Sequence, residues 1–371
     1  MSGKPAPPRQ QRETTADVTV DGQRLRVAER RGQPGRVPLL LINGIGARLE
    51  LLQPFVDALD PALGVIRFDV PGIGGSPAPA APYRFSGLCR TIAGMLAALG
   101  HDSADVLGIS WGGGVAQHFA AFQRERCRRL VLVATATGAI MVPARPSVLL
   151  QLTTPRRYAD AGYLERIAPG LYGGSARTDP ARVSAAMHAF GHVGAGRGYF
   201  YQLTAGLGWT SLPFLPLLRQ QTLILSGDDD PIIPLANGYL MQRLIPHSRL
   251  HVYHGGHLGL VTEAAQLAPV VAGFLAAADA DLAAPPVRGR LGNPLKIHLG
   301  GLGAVETTFQ RVGGAARRVR QWGRAVRGRV RGPAWWRGPG GRRCCRRSSR
   351  PGDGCSRGSP AGSWRNARGG R

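Results

Sequence analysis

Residues 37–134 alternate short, nearly continuous apolar runs with longer helical stretches, and that alternation restricts the fold more than any other property of the chain. The runs are 37–42, 64–70, 104–109 and 130–134; the helical stretches are about 49–59, 85–99 (closed by Gly100) and 112–123. Strands apolar on both faces must be covered on both faces, which predicts a parallel sheet between two layers of helices. Residues 222–225 and 250–253 continue the pattern as fifth and sixth strands, and 264–278 reads as a last helix, apolar along one side. Upstream, Val18-Thr19-Val20 and Leu25-Arg26-Val27 flank Asp21-Gly22, a hairpin turn signal, so 16–28 is expected to form a β-hairpin. The fold class is therefore α/β, with a mostly parallel central sheet.

About eighty residues, roughly 137–220, interrupt this order and are rich in Pro, Gly, Tyr and Arg. A stretch that long is expected to be an inserted helical lid, not one loop. The ends differ again. Residues 1–15 are polar and Pro-rich and read as a flexible arm. Residues 285–371 open on Pro285-Pro286 and lose all periodicity, which reads as a disordered, low-complexity tail. Charge divides the same way. Of a formal +25, residues 288–371 carry 21 basic residues against Glu306 and Asp353, a balance of +19, so the body, 16–284, is close to ordinary. A body of that length can bury about 75% of its unfolded surface and needs no staples. With 43% hydrophobic residues across all 371, the chain is not disordered throughout, and no run of ~20 apolar residues suggests a membrane span. The N-terminus lacks an apolar core of the secretory type. Five cysteines, Cys89, Cys127, Cys344, Cys345 and Cys355, show neither a disulfide framework nor metal-ligand spacing; a reducing cytoplasm is the simplest reading.

Gly108-Ile109-Ser110-Trp111-Gly112 is a G-x-S-x-G between an expected strand and an expected helix. In that context the motif is a nucleophile elbow: a sharp turn lifts the hydroxyl above the strand end, and the small flanking residues admit close backbone approach. Serine needs a base, and the base needs a carboxylate to orient it; with this elbow they follow in the order Ser, acid, His. No carboxylate lies in 134–151, after the fourth strand. After the fifth comes Gly227-Asp228-Asp229-Asp230-Pro231. Asp230 is the candidate because Pro231 holds the turn rigid; Asp229 is its rival, and Asp228 and Asp229 otherwise read as solvated turn formers. Four histidines cluster near the sixth strand. His251 falls inside it, His247 precedes it at the surface, and His254 and His257 bracket Gly255-Gly256. His257, after the glycine pair and before the helix, is the expected base. The backbone N–H of Trp111 is one expected oxyanion donor. The N–H of Ile45, in Ile42-Asn43-Gly44-Ile45-Gly46, is the other. Gly72-Ile73-Gly74-Gly75 has no dinucleotide spacing and reads as a tight turn. No cofactor or metal is expected.

These residues resemble the α/β-hydrolase superfamily. Within it the chain is similar, from about Val18 to Phe274, to the intracellular depolymerases of medium-chain-length polyhydroxyalkanoates. The resemblance lies in Asn43-Gly44-Ile45-Gly46, Ser110-Trp111-Gly112-Gly113, Met141-Val142-Pro143, Pro155-Arg156-Arg157-Tyr158, Arg166-Ile167-Ala168-Pro169 with Tyr172-Gly173-Gly174, Gln202-Leu203, 205–211, 227–231 and Gly256-His257-Leu258. It implies a serine esterase cleaving a stored poly(3-hydroxyalkanoate) at the surface of cytoplasmic granules, with Ser110 as nucleophile, Asp230 as orienter and His257 as base. Tyr158, Leu171, Tyr172, Phe200, Tyr201 and Trp209 could line an alkyl channel or face the granule, although core packing suits any one of them.

Two other functions fit parts of the sequence. The same fold could serve a carboxylesterase or a C–C bond hydrolase acting on a soluble molecule. Alternatively, a non-catalytic granule- or nucleic-acid-binding protein could work through the basic tail, making salt-sensitive, non-specific polyanion contacts. The blander reading of the tail is a solvated charge run or an unselected reading frame. Oligomeric state is not encoded legibly.

Overall fold

The computed structural model describes residues 13–153, 156, 160–190 and 196–283. The expected arm up to residue 12 and the whole tail 285–371 lie outside the described residues.

The hairpin forms around Asp21 and Gly22, both at positive φ (49° and 79°). It pairs β1 (Thr14–Val20) with β2 (Gln23–Arg30), so the strand starts inside the stretch read as an arm. After it come β3 (Leu39–Ile42), α1 (Gln53–Ala58), β4 (Val65–Phe68), α2 (Phe85–Ala98), β5 (Ala104–Ile109), α3 (Trp111–Phe122) and β6 (Cys127–Val133). The insertion carries α4 (Pro146–Thr153), α5 (Ala161–Tyr172), α6 (Pro180–Phe190) and α7 (Arg197–Ala205). Then β7 (Gln221–Gly227), α8 (Ala236–Leu244), β8 (Ser248–Tyr253), α9 (Gly259–Thr262), α10 (Ala264–Ala276) and α11 (Asp279–Ala283) complete the described chain.

The eight strands form one sheet in the order β1-β2-β4-β3-β5-β6-β7-β8. The hairpin joins antiparallel through β2 and β4, and every pair from β4 to β8 is parallel. Strands β3, β4 and β5 are buried at every residue, as strands covered on both faces should be. One layer of the core packs Leu52, Phe55 and Val56 from the α1 side and Leu267, Val271 and Phe274 of α10 against Leu39, Leu107, Val131 and Leu225 of the sheet. Arg129, nearly buried on β6, donates to the carbonyls of Phe274 (2.5 Å) and Ala277 (2.6 Å), satisfying orphan acceptors at the end of α10.

Chain order reverses at β3: its chain neighbour β4 lies on one side and β5 on the other. Such a reversal, at the carboxyl ends of the strands, is the usual place for a site in a parallel sheet.

The insertion enters and leaves as a closed pair of segments. Gly138 bridges Thr210, Ala139 N–H donates to the Trp209 carbonyl (2.7 Å), and Ser211 N–H donates to the Thr137 carbonyl (3.0 Å). Inside, Val148, Leu164, Ala168, Leu171, Tyr172, Ala176 and Val183 make a separate small core. Ile232, from the loop after β7, inserts into it.

Candidate active site

Ser110 stands between β5 and α3 at φ 52°, ψ −117°. A residue with a Cβ held there stores about 1–3 kcal/mol of strain, which the surroundings must over-determine. They do so from three sides. Ser110 N–H donates to the Val133 carbonyl of β6 (2.9 Å), and its carbonyl accepts from Gly113 N–H (3.0 Å) and the Thr135 hydroxyl (2.7 Å). The flanking glycines are steric necessities. A Cβ on Gly108 would lie 2.3 Å from the Gly112 carbonyl oxygen, and one on Gly112 would lie 2.2 Å from that of Ile42. The helix thus starts against the end of β3, with its N-terminal amides beside the serine.

The structure brings Ser110, His257 and Asp230 together. His257 Nε2 is 3.1 Å from Ser110 Oγ, and His257 Nδ1 is 2.8 Å from Asp230 Oδ2. The other carboxylate oxygen, Oδ1, accepts the backbone N–H groups of Ile232 and Ile233, both at 2.9 Å. Two amides on Oδ1 and the ring on Oδ2 leave the carboxylate no freedom to rotate. With Nδ1–H donating to it, the neutral imidazole keeps a lone pair on Nε2, facing the serine hydroxyl. Both side chains are withdrawn from water: the His257 ring is 8% exposed and the Asp230 carboxylate 1%.

The neighbouring aspartates have other partners and are not simply solvated turn residues. Asp229 takes Arg177 through two contacts (2.5 and 2.8 Å) and the Gly174 N–H (2.7 Å). The Arg177 guanidinium holds its carboxyl below the usual range, and the Gly174 amide adds to that. Asp228 caps the Gly255 N–H (3.1 Å) and pairs with His254 (3.0 Å). Burial works upward on Asp228, but His254 and the Gly255 amide outweigh it and lower its pKa; Asp228 in turn raises that of the exposed His254. His247 is exposed, and His251 lies within β8.

The acid and histidine loops are laced together. Asp228 N–H donates to the Tyr253 carbonyl (3.1 Å), Asp229 N–H to the Gly255 carbonyl (3.0 Å), and the buried Tyr253 hydroxyl to the Gly256 carbonyl (3.0 Å). The insertion grips both loops at the end of α5. The Tyr172 carbonyl accepts His257 N–H (2.8 Å), and Gly173 and Gly174 turn at positive φ where side chains would strike Asp229 and Gly256.

The loop after β3 flanks the serine, since a Cβ on Gly44 would lie 3.7 Å from Ser110 Cβ. Neither Ile45 N–H nor Trp111 N–H has a protein acceptor among the described residues. Gly46 N–H donates to Gln202 Oε1 on α7 (2.8 Å), and the Trp111 indole N–H donates to the Gln202 carbonyl (2.8 Å). The ring of Trp111 meets Phe85 edge-on, and Phe85 in turn meets Trp209. Of the other aromatic or apolar candidates, Leu171 and Tyr172 belong to the insertion's core, Tyr201 is buried, and Phe200 is exposed. Tyr158 lies outside the described residues.

Sequence reasoning did not foresee Arg177, Thr135 or the part of Gln202. Tyr172-Gly173-Gly174 and Gln202 did stand among the segments carrying the resemblance, which was the available signal.

The α/β hydrolase fold family matches residues 37–264. The chain is 51% identical to the poly(3-hydroxyalkanoate) depolymerase of Ectopseudomonas oleovorans, over 70% of this chain and 91% of that protein. It is 29% identical to a 2-hydroxymuconate semialdehyde hydrolase of Pseudomonas sp. (strain CF600), over 66% and 88%. Among solved structures, the enol-lactonase from Burkholderia xenovorans LB400 superposes with a TM-score of 0.61 at 24% identity, over 70% of this chain and 99% of that one.

Proposed function

The chain belongs to the poly(3-hydroxyalkanoate) depolymerases of the α/β-hydrolase family, and from that premise we propose that Ser110, His257 and Asp230 hydrolyse the ester bonds of a storage polyester, with medium-length side chains, through an acyl-enzyme. The observation that carries the roles is the pair of contacts made by one imidazole, 3.1 Å to Ser110 Oγ and 2.8 Å to Asp230 Oδ2. The similarity to a depolymerase across 91% of its length supports the substrate class.

His257 Nε2 takes the hydroxyl proton as Ser110 Oγ attacks an ester carbonyl carbon. Asp230 fixes the tautomer and stabilises the imidazolium that results. The carbonyl oxygen becomes an oxyanion beside the N-terminus of α3, where the amides of Trp111 and Ile45 are free to receive it. Each such donor is worth about 10²–10³ in rate. Collapse expels the alcohol end of the polymer, which takes its proton from His257. Water, deprotonated by the same ring, then attacks the acyl carbon, and breakdown returns the proton to Ser110 Oγ. No helix among the described residues is long and apolar enough to cross a membrane. The polymer would be met at a granule surface in the cytoplasm.

Purified granules of medium-chain and short-chain polyester, set beside a soluble p-nitrophenyl ester, test this reading. Release of hydroxy acids from medium-chain granules, absent in Ser110→Ala, is the expected result. Turnover of the soluble ester with both granules untouched would overturn the polymer assignment and leave a carboxylesterase.

A further inference from the structure

We infer that Gln202 is a positioning residue for the oxyanion site, joining the insertion to both segments that supply its donors. The inference rests on the esterase reading of Ser110. Gln202 is fully buried on α7, in the insertion. Its side-chain oxygen accepts Gly46 N–H and its backbone oxygen accepts the Trp111 indole N–H, each at 2.8 Å. One residue therefore touches the loop after β3 and the first residue of α3, the two segments whose unpaired amides lie beside Ser110 in the chain or in space.

The bond to Gly46 anchors the peptide that follows Ile45. Gly46 turns at φ 72°, and Ala47 N–H closes back on the Gly44 carbonyl (3.3 Å). Ile45 N–H shares its peptide plane with the Gly44 carbonyl, and the next peptide carries the Gly46 N–H that Gln202 accepts, so both peptides flanking the Ile45 Cα are anchored. The loop has no other side-chain acceptor at Gly46 among the described residues, so its orientation follows the seating of α7.

The side chain is placed there for its acceptor. An amide whose oxygen must accept from Gly46 presents its nitrogen on the other side, and Gln202 Nε2 is buried with no partner among the described residues. A buried donor left unpaired is destabilising, and an apolar side chain of the same length would only exchange the orphan Nε2 for an orphan Gly46 N–H. A Gln retained for packing would be a poor choice; one retained for its acceptor is explicable. α7 is itself seated close by, since a Cβ on Gly198 would lie 1.9 Å from the Gly72 carbonyl oxygen of the turn after β4.

Gln202→Met keeps length and volume and removes the acceptor. With a soluble ester, kcat is expected to fall about 10–100-fold while KM stays within about 2-fold, the pattern for an interaction felt only in the transition state. Affinity for a trifluoromethyl ketone, which forms a tetrahedral adduct with an oxyanion, should fall by the same factor as kcat/KM, beyond any modest fall in thermal midpoint from the Gly46 N–H left unpaired. Trp111→Phe, which keeps the ring and removes the indole N–H, should lose a smaller factor, about 3–10-fold, in the same two measurements. A Gln202→Met enzyme with kcat within 2-fold of wild type, or one whose kcat falls while ketone affinity holds, overturns the inference. If Gln202→Met does not fold, unchanged ketone affinity in Trp111→Phe does the same. A wild-type enzyme that fails to bind the ketone at all would instead refute the esterase reading.

Discussion

Arg177, in the insertion, grips Asp229 through two parallel N–H···O contacts, and Asp229 is the chain neighbour of Asp230. The clamp lies one residue from the carboxylate that holds His257. Both side chains are partly exposed (48% and 37%), so solvent screens the pair and its share of stability is small, about 0.2–1 kcal/mol. Its effect on geometry should be larger, because displacements of an ångström can cost about 10²-fold in rate. Arg177→Ala is expected to lower kcat about 10-fold. Arg177→Lys should recover little of it, since an ammonium cannot reproduce the bidentate fork. The sign with pH follows from Asp229, whose pKa is lowered in the folded protein. Its stabilisation is full above the unfolded carboxylate value near ~4 and is lost as pH falls through the lower folded value. Denaturant midpoints of wild type and Arg177→Ala should therefore differ at pH 7 and converge in acid; a gap that persists in acid would rule out the charge pair as its source.

The serine elbow stores strain, and its release should be measurable. Ser110→Gly removes the Cβ from a positive-φ position and the hydroxyl from the site. It is expected to abolish ester hydrolysis, by about 10³-fold or more, while raising stability by about 1 kcal/mol. Ser110→Ala should lose the same activity without the gain, because it keeps the Cβ. Equal melting temperatures for the two variants would argue against strain at residue 110.

The three consecutive aspartates should separate cleanly in turnover. Asp230→Asn replaces the oxygen that orients the ring and is expected to reduce kcat by about 10³–10⁴-fold through the wrong tautomer. Asp228 faces His254 and the Gly255 amide at the rim. Asp228→Asn keeps an oxygen for that amide and should leave kcat within about 3-fold, as rim polar contacts are worth little. The opposite ranking would move the orienting role along the loop.

What could be read from the sequence follows the physics of each element. β5 coincides with its apolar run because all six residues are buried, Asp105 included, whose carboxylate pairs with Arg128. β7 extends past its apolar centre to Gln221 and Gly227, because the end residues pair along β6 and β8 whatever their polarity. The stretch 49–59 divides into a 3-10 turn, Leu49–Leu52, and the short α1; Pro54, lacking an N–H, favours a fresh helix start there. α8 had no signal: Asn237, Gln242 and Arg243 break the apolar stripe, and Asn237 is buried because it exchanges bonds with Val142 of the insertion. Within the site, Ser110 and His257 were legible from local turn chemistry. Arg177 was not, because its partner lies 52 residues away with no periodicity linking them. Long-range polar pairs leave no trace in a single sequence.

The turn that ends α5 gives a matched pair of glycine tests. Gly173 has φ 62°, and a Cβ there would lie 1.9 Å from the Asp229 carbonyl oxygen and 2.9 Å from Pro231 Cδ. These are backbone and ring atoms that cannot swing aside. Gly173→Ala therefore has to push the insertion away from the acid loop, with overpacking costing about 1–3 kcal/mol beyond the positive-φ strain. Because Asp230 follows directly, kcat should fall with stability, by about 10-fold or more. Gly170, one turn earlier within α5, has open space where its Cβ would stand. Gly170→Ala should raise stability by about 0.5–1 kcal/mol through helix propensity and leave turnover unchanged. Chemical denaturation alongside initial rates on a soluble ester reads both. Equal behaviour of the two variants would mean that the insertion does not bear on the acid loop through this turn.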